Sequence, residues 1–255
     1  MMCPNRRKPC FLAVFFLVLA LLSGYILYQL IWNGVILLNN PSPRRYPVRG
    51  VDVSSYQGNI DWPVLAAQNI QFAFIKATEG ATYVDEYFSY NLAQAQAAGL
   101  RVGAYHFFSC ASGGQEQADN FISEVRAHPG MLPPVVDFEV TEAMSEQADL
   151  VRLQLDTLIQ ALEQHYGVKP ILYATESAYR TYLAGLYDPY DIWIRNVKTK
   201  PRLSDGRSWT FWQYTNRERL DGYRGKERFI DMNVFYGTAD AFQQYGINEL
   251  EVCPK

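Results

Sequence analysis

Residues 133–173 read PPVVDFEVTEAMSEQADLVRLQLDTLIQALEQHYGVKPILY, and the change of period inside this stretch decides the fold. Val135 to Phe138 is a short apolar, β-branched run behind two prolines, which reads as a strand. From Ser145 to Tyr166 the spacing becomes helical. Leu150, Leu155, Leu158, Ile159 and Leu162 recur at helical intervals, Glu146 and Asp149 lie in the first turn, and Gly167 supplies the stop. Ile171 to Tyr173 is again a strand. Strand, helix, strand in this order is the unit of a parallel sheet.

The unit repeats outward in both directions. Further apolar runs at Gly50–Val53, Phe72–Lys76, Arg101–Phe107, Ile192–Ile194, Thr210–Tyr214 and Phe229–Met232 bring the strands to eight, with helix-like stretches at Asp85–Ala98 and Gly114–His128. With Asp52, Lys76, His106, Asp137, Tyr173, Ile194, Gln213 and Asp231 as strand ends, the intervals are 24, 30, 31, 36, 21, 19 and 18 residues. The first four have room for a full helix, the fifth for a short one, and the last two for hardly any. The expectation is an α/β fold, a barrel akin to the eight-fold α/β barrel with an incomplete helical coat.

A different kind of sequence precedes the barrel. No residue from Pro9 to Pro43 is charged, and Phe11 to Trp32 is apolar apart from Ser23, Gly24 and Gln29. As a helix it would reach about 33 Å, enough to cross a bilayer. A cleaved signal has an apolar core of roughly 7 to 15 residues and a small-residue cleavage site. This run is longer and leads into Leu37-Leu38-Asn39-Asn40, so a retained transmembrane signal anchor over 11–38 is expected after a short tail, 1–10. Basic residues flank it on both sides, and charge alone leaves its orientation open. Pro41, Pro43 and Pro47 mark 39–47 as an extended linker. The barrel then takes 48–247 and leaves a C-terminal tail, 248–255.

Charge and composition exclude several functions. Five of the 23 basic residues and none of the 26 acids lie in the first 48 positions, so the remaining 207 carry 18 basic against 26 acidic residues, a formal charge of −8. Nucleic-acid phosphates need a basic stripe, and such a domain would repel them. Cys110 and Cys253 are too few for a disulfide framework. His106, His128 and His165 have no metal-ligand spacing, so no metal or cofactor is expected. Aromatic residues make up 15% of the chain, which suits either stacking on flat ligand faces or a large aromatic core.

The strand-end residues carry the chemistry. Asp137 and Glu139, at i and i+2, point to the same side about 6.6 Å apart along the strand. Paired carboxylates can divide the roles of proton donor and electrostatic partner, because repulsion keeps one of them protonated. Asp52 breaks an apolar alternation in Gly50-Val51-Asp52-Val53 and should face the interior, where a carboxylate is costly unless bonded or functional. It could instead cap a turn, as could Asp231. Lys76 would pair with an acid or touch a ligand. His106 is either a general base or a hydrogen-bonded core histidine. Trp193, Trp212 and Tyr214 are either sugar platforms or core aromatics. No Ser or Cys nucleophile has a plausible His partner, which disfavours a triad hydrolase.

Seven segments, in order, resemble the glycoside hydrolase family 25 lysozymes, which are N-acetylmuramidases. They are Arg49–Gly58, Phe74–Gly80, Gly103–Phe107, Val136–Glu139, Pro170–Tyr173, Trp212–Tyr214 and Ile230–Asn233. The resemblance implies a flattened barrel of five βα units and three further strands, and hydrolysis of the β-1,4 bond between N-acetylmuramic acid and N-acetylglucosamine in peptidoglycan. It implies Glu139 as general acid and base, Asp137 as its partner, and Asp52 and Asp231 as further acids of the cleft. Lys76, Glu79, Tyr105, Tyr173, Trp193 and Gln213 would shape the sugar sites, and we add His106 and Tyr214 to them. Arg195 departs from the family pattern, which has a small residue there. The expected setting is a bacterial membrane, crossed once, with the catalytic domain periplasmic or extracellular. Two alternatives stay open: a silent glycan-binding tether, and a glycosidase for another N-acetylated polymer such as chitin.

Overall fold

The computed structural model describes residues 7–139 and 147–247. Helix α1, Arg7–Trp32, touches the barrel at its last turn, where Arg217 reaches Trp32, and none of its apolar span is fully buried by protein. Strands β1 (Arg49–Val53), β2 (Phe72–Glu79), β4 (Arg101–Phe107), β5 (Val135–Phe138), β6 (Ile171–Thr175), β7 (Ile192–Arg195), β8 (Phe211–Glu218) and β9 (Ile230–Phe235) close into a barrel, while β3 (Tyr83–Val84) only extends the end of β2. Helices α2 (Trp62–Ala66), α3 (Phe88–Ala97), α4 (Gly114–Glu124) and α5 (Ala148–Tyr166) follow β1, the β2–β3 hairpin, β4 and β5. After β6 comes only a short helical segment from Glu176 to Leu183, and then β7, β8 and β9, as expected for five βα units and three further strands.

Strand alternation separates two cores. Phe72, Phe74, Val135, Ile171, Trp193, Phe211 and Phe235 fill the barrel, while Ala73, Ile75, Val136, Leu172, Ile194 and Met232 face outward to the larger cluster beneath the helices. Two glycines make the interior narrow enough to fill. A Cβ on Gly50 would lie 2.4 Å from the Phe72 ring, and one on Gly103 would lie 2.7 Å from that of Phe74. Gly167 ends α5 with φ of 72°, the left-handed C-cap that glycine adopts at least cost.

Two expectations are corrected. The first interval holds no full helix: α2 has five residues, because a 3-10 turn at Ser55–Gln57 and the Asp61 cap occupy the chain before it. The sheet is also not wholly parallel, since β9 runs antiparallel to both β8 and β1. Strand β8 continues to Glu218, so the chain returns by a short arm with no space for a crossover, and a short connection joins only antiparallel strands.

The segment expected as a linker lies packed on the barrel. Asn39 Nδ2 donates to the carbonyls of Asn196 (3.1 Å) and Tyr214 (3.2 Å). Tyr46, buried, meets the rings of Trp209, Trp212 and Tyr236 at 5.8, 6.1 and 6.3 Å. The strap thus runs down the outer face of β8, which no helix covers.

Candidate active site

The interior-facing residues continue in register to the mouth. Asp52, Lys76, Tyr105, Asp137, Tyr173, Trp193, Gln213 and Asp231 line one cleft with Glu139, enclosing about 240 Å³. Asp231 reaches it from the start of β9, opposite Asp52 across the β1–β9 pair. A second cleft of about 400 Å³ lies at the other end of the barrel, near Lys200, Arg202 and Trp209, and no carboxylate lines it.

A hydrogen-bond network fixes these groups. Trp193 Nε1 donates to Asn233 Oδ1 at 2.8 Å, and Asn233 Nδ2 donates to Asp52 Oδ2 at 2.7 Å. Gln213 Nε2 donates to Asp52, at 3.1 and 2.9 Å from its two oxygens, and to Asp231 Oδ2 at 2.9 Å. The Tyr173 hydroxyl stands 2.9 Å from Glu139 Oε1 and 3.0 Å from Gln213 Oε1. Its single proton serves one of them at a time. Glu139 stands exposed at the mouth, whereas Asp137 Oδ1 is buried without a partner among the described residues.

Burial separates the acids electrically. It raises Asp52 from 3.8 to about 6, against the lowering effect of the Asn233 and Gln213 hydrogen bonds. Asp137 is raised well above the usual carboxylate range by burial and then by the charge of Glu139. Asp231 is raised likewise, by burial and then by Asp52. Arg195, at the end of β7, opposes the rise at both Asp52 and Asp231. Burial therefore works against ionisation at Asp52, Asp137 and Asp231, three of the five acids that line the cleft.

Three expected residues lie outside this cleft. His106 faces outward, fully buried, with Nδ1 2.7 Å from Thr78 Oγ1 and Nε2 3.1 Å from Gln117 Oε1. Burial lowers its pKa to about 4, so it stays neutral as a core histidine. Tyr214 also faces outward, and its hydroxyl accepts from Arg49 Nη2 at 3.0 Å. The reason is parity: Tyr105 and Gln213 face in, so their chain neighbours His106 and Tyr214 cannot. Glu79 follows a bulge in β2 and pairs with Lys76 at 2.6 Å, outside the cleft lining. Trp193 lines the floor but is 2% exposed and stacked on Phe74 at 4.5 Å, which leaves no open face for a sugar. The open aromatic is Tyr56, 54% exposed on the loop after β1. Tyr56, Gln57, Phe107 and Glu227 complete the lining and were not singled out from sequence. The Ser54-x-x-Gln57 capping spacing was the available signal for the loop that presents Tyr56 and Gln57.

The comparisons bear on the family and the fold. The model of glycosyl hydrolases family 25 matches residues 51–223, a span that holds Asp52, Asp137 and Glu139. YegX of Escherichia coli K12 is 37% identical over 214 residues, 81% of this chain and 77% of its own. Lysozyme M1 of Streptomyces globisporus is 34% identical over 205 residues, 75% of this chain and 69% of its own. A solved family 25 glycosyl hydrolase from Bacillus anthracis aligns with TM-score 0.75 at 52% identity, covering 81% of this chain and 96% of that one. The bacterial lysozyme of Streptomyces coelicolor aligns with TM-score 0.69 at 32% identity, over 77% and 95%. With its family model, its relatives and its barrel in agreement, the chain belongs to glycosyl hydrolases family 25 and is a glycoside hydrolase.

Proposed function

We propose that the chain is a membrane-anchored lysozyme that hydrolyses the β-1,4 bond between N-acetylmuramic acid and N-acetylglucosamine in bacterial peptidoglycan, with Glu139 as acid and base. The observation that carries the reading is the pairing of an exposed Glu139 at the mouth with a half-buried Asp137 beneath it in one cleft. Glu139 protonates the leaving oxygen, and the Tyr173 hydroxyl, 2.9 Å away, then donates to the carboxylate that remains. Asp137 orients the substrate's acetamido group, whose oxygen attacks the reacting carbon, so that the configuration is retained. Direct attack by Asp137 or Asp231 is the rival retaining route. The apolar helix α1 holds the enzyme in the membrane, with the barrel on the side where the wall lies.

The test is digestion of purified peptidoglycan, with mass spectrometry of the released ends. Reducing muramic acid ends are expected from the wild type. Glu139→Gln keeps the side chain's shape but has no proton to deliver, so the rate should fall about 10²- to 10⁴-fold while glycan binding persists. Near-normal turnover by a folded Glu139→Gln protein would assign the proton to another group. Cleavage of chitin but not peptidoglycan would redirect the substrate, and binding without cleavage would make the barrel a tether.

A further inference from the structure

We infer that Arg217, Arg219 and Arg228 form a binding surface for the headgroup phosphates of anionic phospholipids. The inference rests on the anchor half of the proposed function, because it concerns the place where α1 meets the barrel. Tyr28 and Trp32 close the apolar helix as a stacked pair at 6.0 Å, both about half exposed. Such aromatics mark the level at which hydrocarbon gives way to headgroups. The arginines surround that level. Arg217 Nη1 donates to the Trp32 carbonyl at 2.7 Å, with its guanidinium 4.3 Å from the Trp32 ring centre. Arg219 Nη2 donates to the Asn33 carbonyl at 2.5 Å, and Arg228 Nη1 to Asn33 Oδ1 at 3.2 Å. All three gather on Phe229, at 5.7, 5.5 and 5.6 Å from its ring centre.

These contacts leave most of the arginine donors unused. A guanidinium has five N–H groups, and among the described residues none of the three lies within 4.0 Å of a carboxylate. The segment from Arg217 to Arg228 carries five basic residues against three acids, on a domain whose formal charge is −8. A scattered surface charge run would ordinarily be solvated. This one is fixed around the end of a helix that no protein covers, and Gly34, at φ of 67°, presses the chain against the Arg217 carbonyl. The rival reading is that the arginines only cap the last carbonyls of α1.

The test uses the full chain in phosphatidylcholine nanodiscs, with spin-labelled phosphatidylglycerol or phosphatidylcholine as probe and the motionally restricted fraction as readout. A juxtamembrane arginine favours an anionic surface by about five-fold. A preference for the anionic probe of at least about five-fold is therefore expected, screened away at high salt. It should vanish in the Arg217→Gln, Arg219→Gln, Arg228→Gln triple variant and survive in the corresponding triple Lys variant. Hydrolysis of soluble glycan by either variant should be unchanged, which confirms folding. Equal restriction of the two probes by the wild type, or full preference in the Gln variant, would leave the arginines as caps and overturn the inference alone. Loss of the preference to inorganic phosphate at matched ionic strength would make this a free-anion site and overturn the lipid source. A chain that does not stay with the discs would overturn the anchor and the headgroup surface together.

Discussion

Asp52→Asn measures how much electrostatic strain the cleft stores. The Asp52 carboxylate accepts from Gln213 and Asn233 and lies opposite Asp231 across the β1–β9 pair. Burial nevertheless raises it from 3.8 to about 6. Because the folded state then binds the proton more tightly than the unfolded state, stability is fully present below pH 3.8 and is lost as pH rises through about 6. A shift of two units corresponds to about 3 kcal/mol. For a barrel of this size that amounts to roughly 6 to 12 °C in Tm between pH 4 and 7. Asp137 and Asp231, also raised, add in the same direction. An asparagine removes the Asp52 share but offers one acceptor oxygen where two receive donors, leaving an N–H unpaired at about 1 to 3 kcal/mol. The variant should therefore be the less stable protein at pH 4 and lose less on going to pH 7. Thermal unfolding followed by circular dichroism of the detergent-solubilised chain gives both slopes. A wild-type Tm that is flat over this range, or an Asn variant with the full wild-type slope, would refute the reasoning.

Three further outcomes are expected. Proton NMR of the first-formed reducing end should give the β anomer; an initial α product would exclude both retaining routes, and a substrate with a free amine in place of the acetamido group should lose most of its rate only if that group attacks. In spheroplasts the barrel should be open to added protease, and a barrel protected until lysis would reverse the topology. Tyr46→Ala should destabilise by about 3 kcal/mol, as for other buried aromatics, whereas Tyr46→Phe should be neutral or stabilising because the buried hydroxyl has no partner among the described residues. Equal losses for the two Tyr46 variants in denaturant unfolding would contradict that account.

Much of this was legible because barrel strands write their inside and outside in alternation. Val135-Val136-Asp137-Phe138-Glu139 carries the site in two residues of one parity, and the interval lengths carry the fading helical coat. Applied strictly, the same parity would have removed His106 and Tyr214, since each adjoins a residue already assigned inward. What the chain could not give locally was set by closure. Asp231 reaches the mouth only because β9 runs backwards, and Glu227 only because the arm before β9 folds over the rim. Tyr46 looked like linker because prolines surround it. Its burial depends on Trp209, Trp212 and Tyr236, far away in sequence, meeting on a face that no helix covers. Cys253 lies outside the described residues, among which Cys110 forms no disulfide.

The docked strap has a bearing on where the enzyme can work. A free linker of the length of 39–47 would let the barrel wander over about 17 Å. Pinned at Asn39 and Tyr46, the strap gives it no leash. Gln213 and Arg217 lie on the same strand, about 13 Å apart along it, so with α1 in a bilayer the cleft mouth lies within about that distance of the residues that meet the helix. Such an enzyme is a cutter at fixed height. On the proposed function, wall layers beyond its reach would be spared however active it is, and turnover would follow the supply of glycan to the zone nearest the membrane.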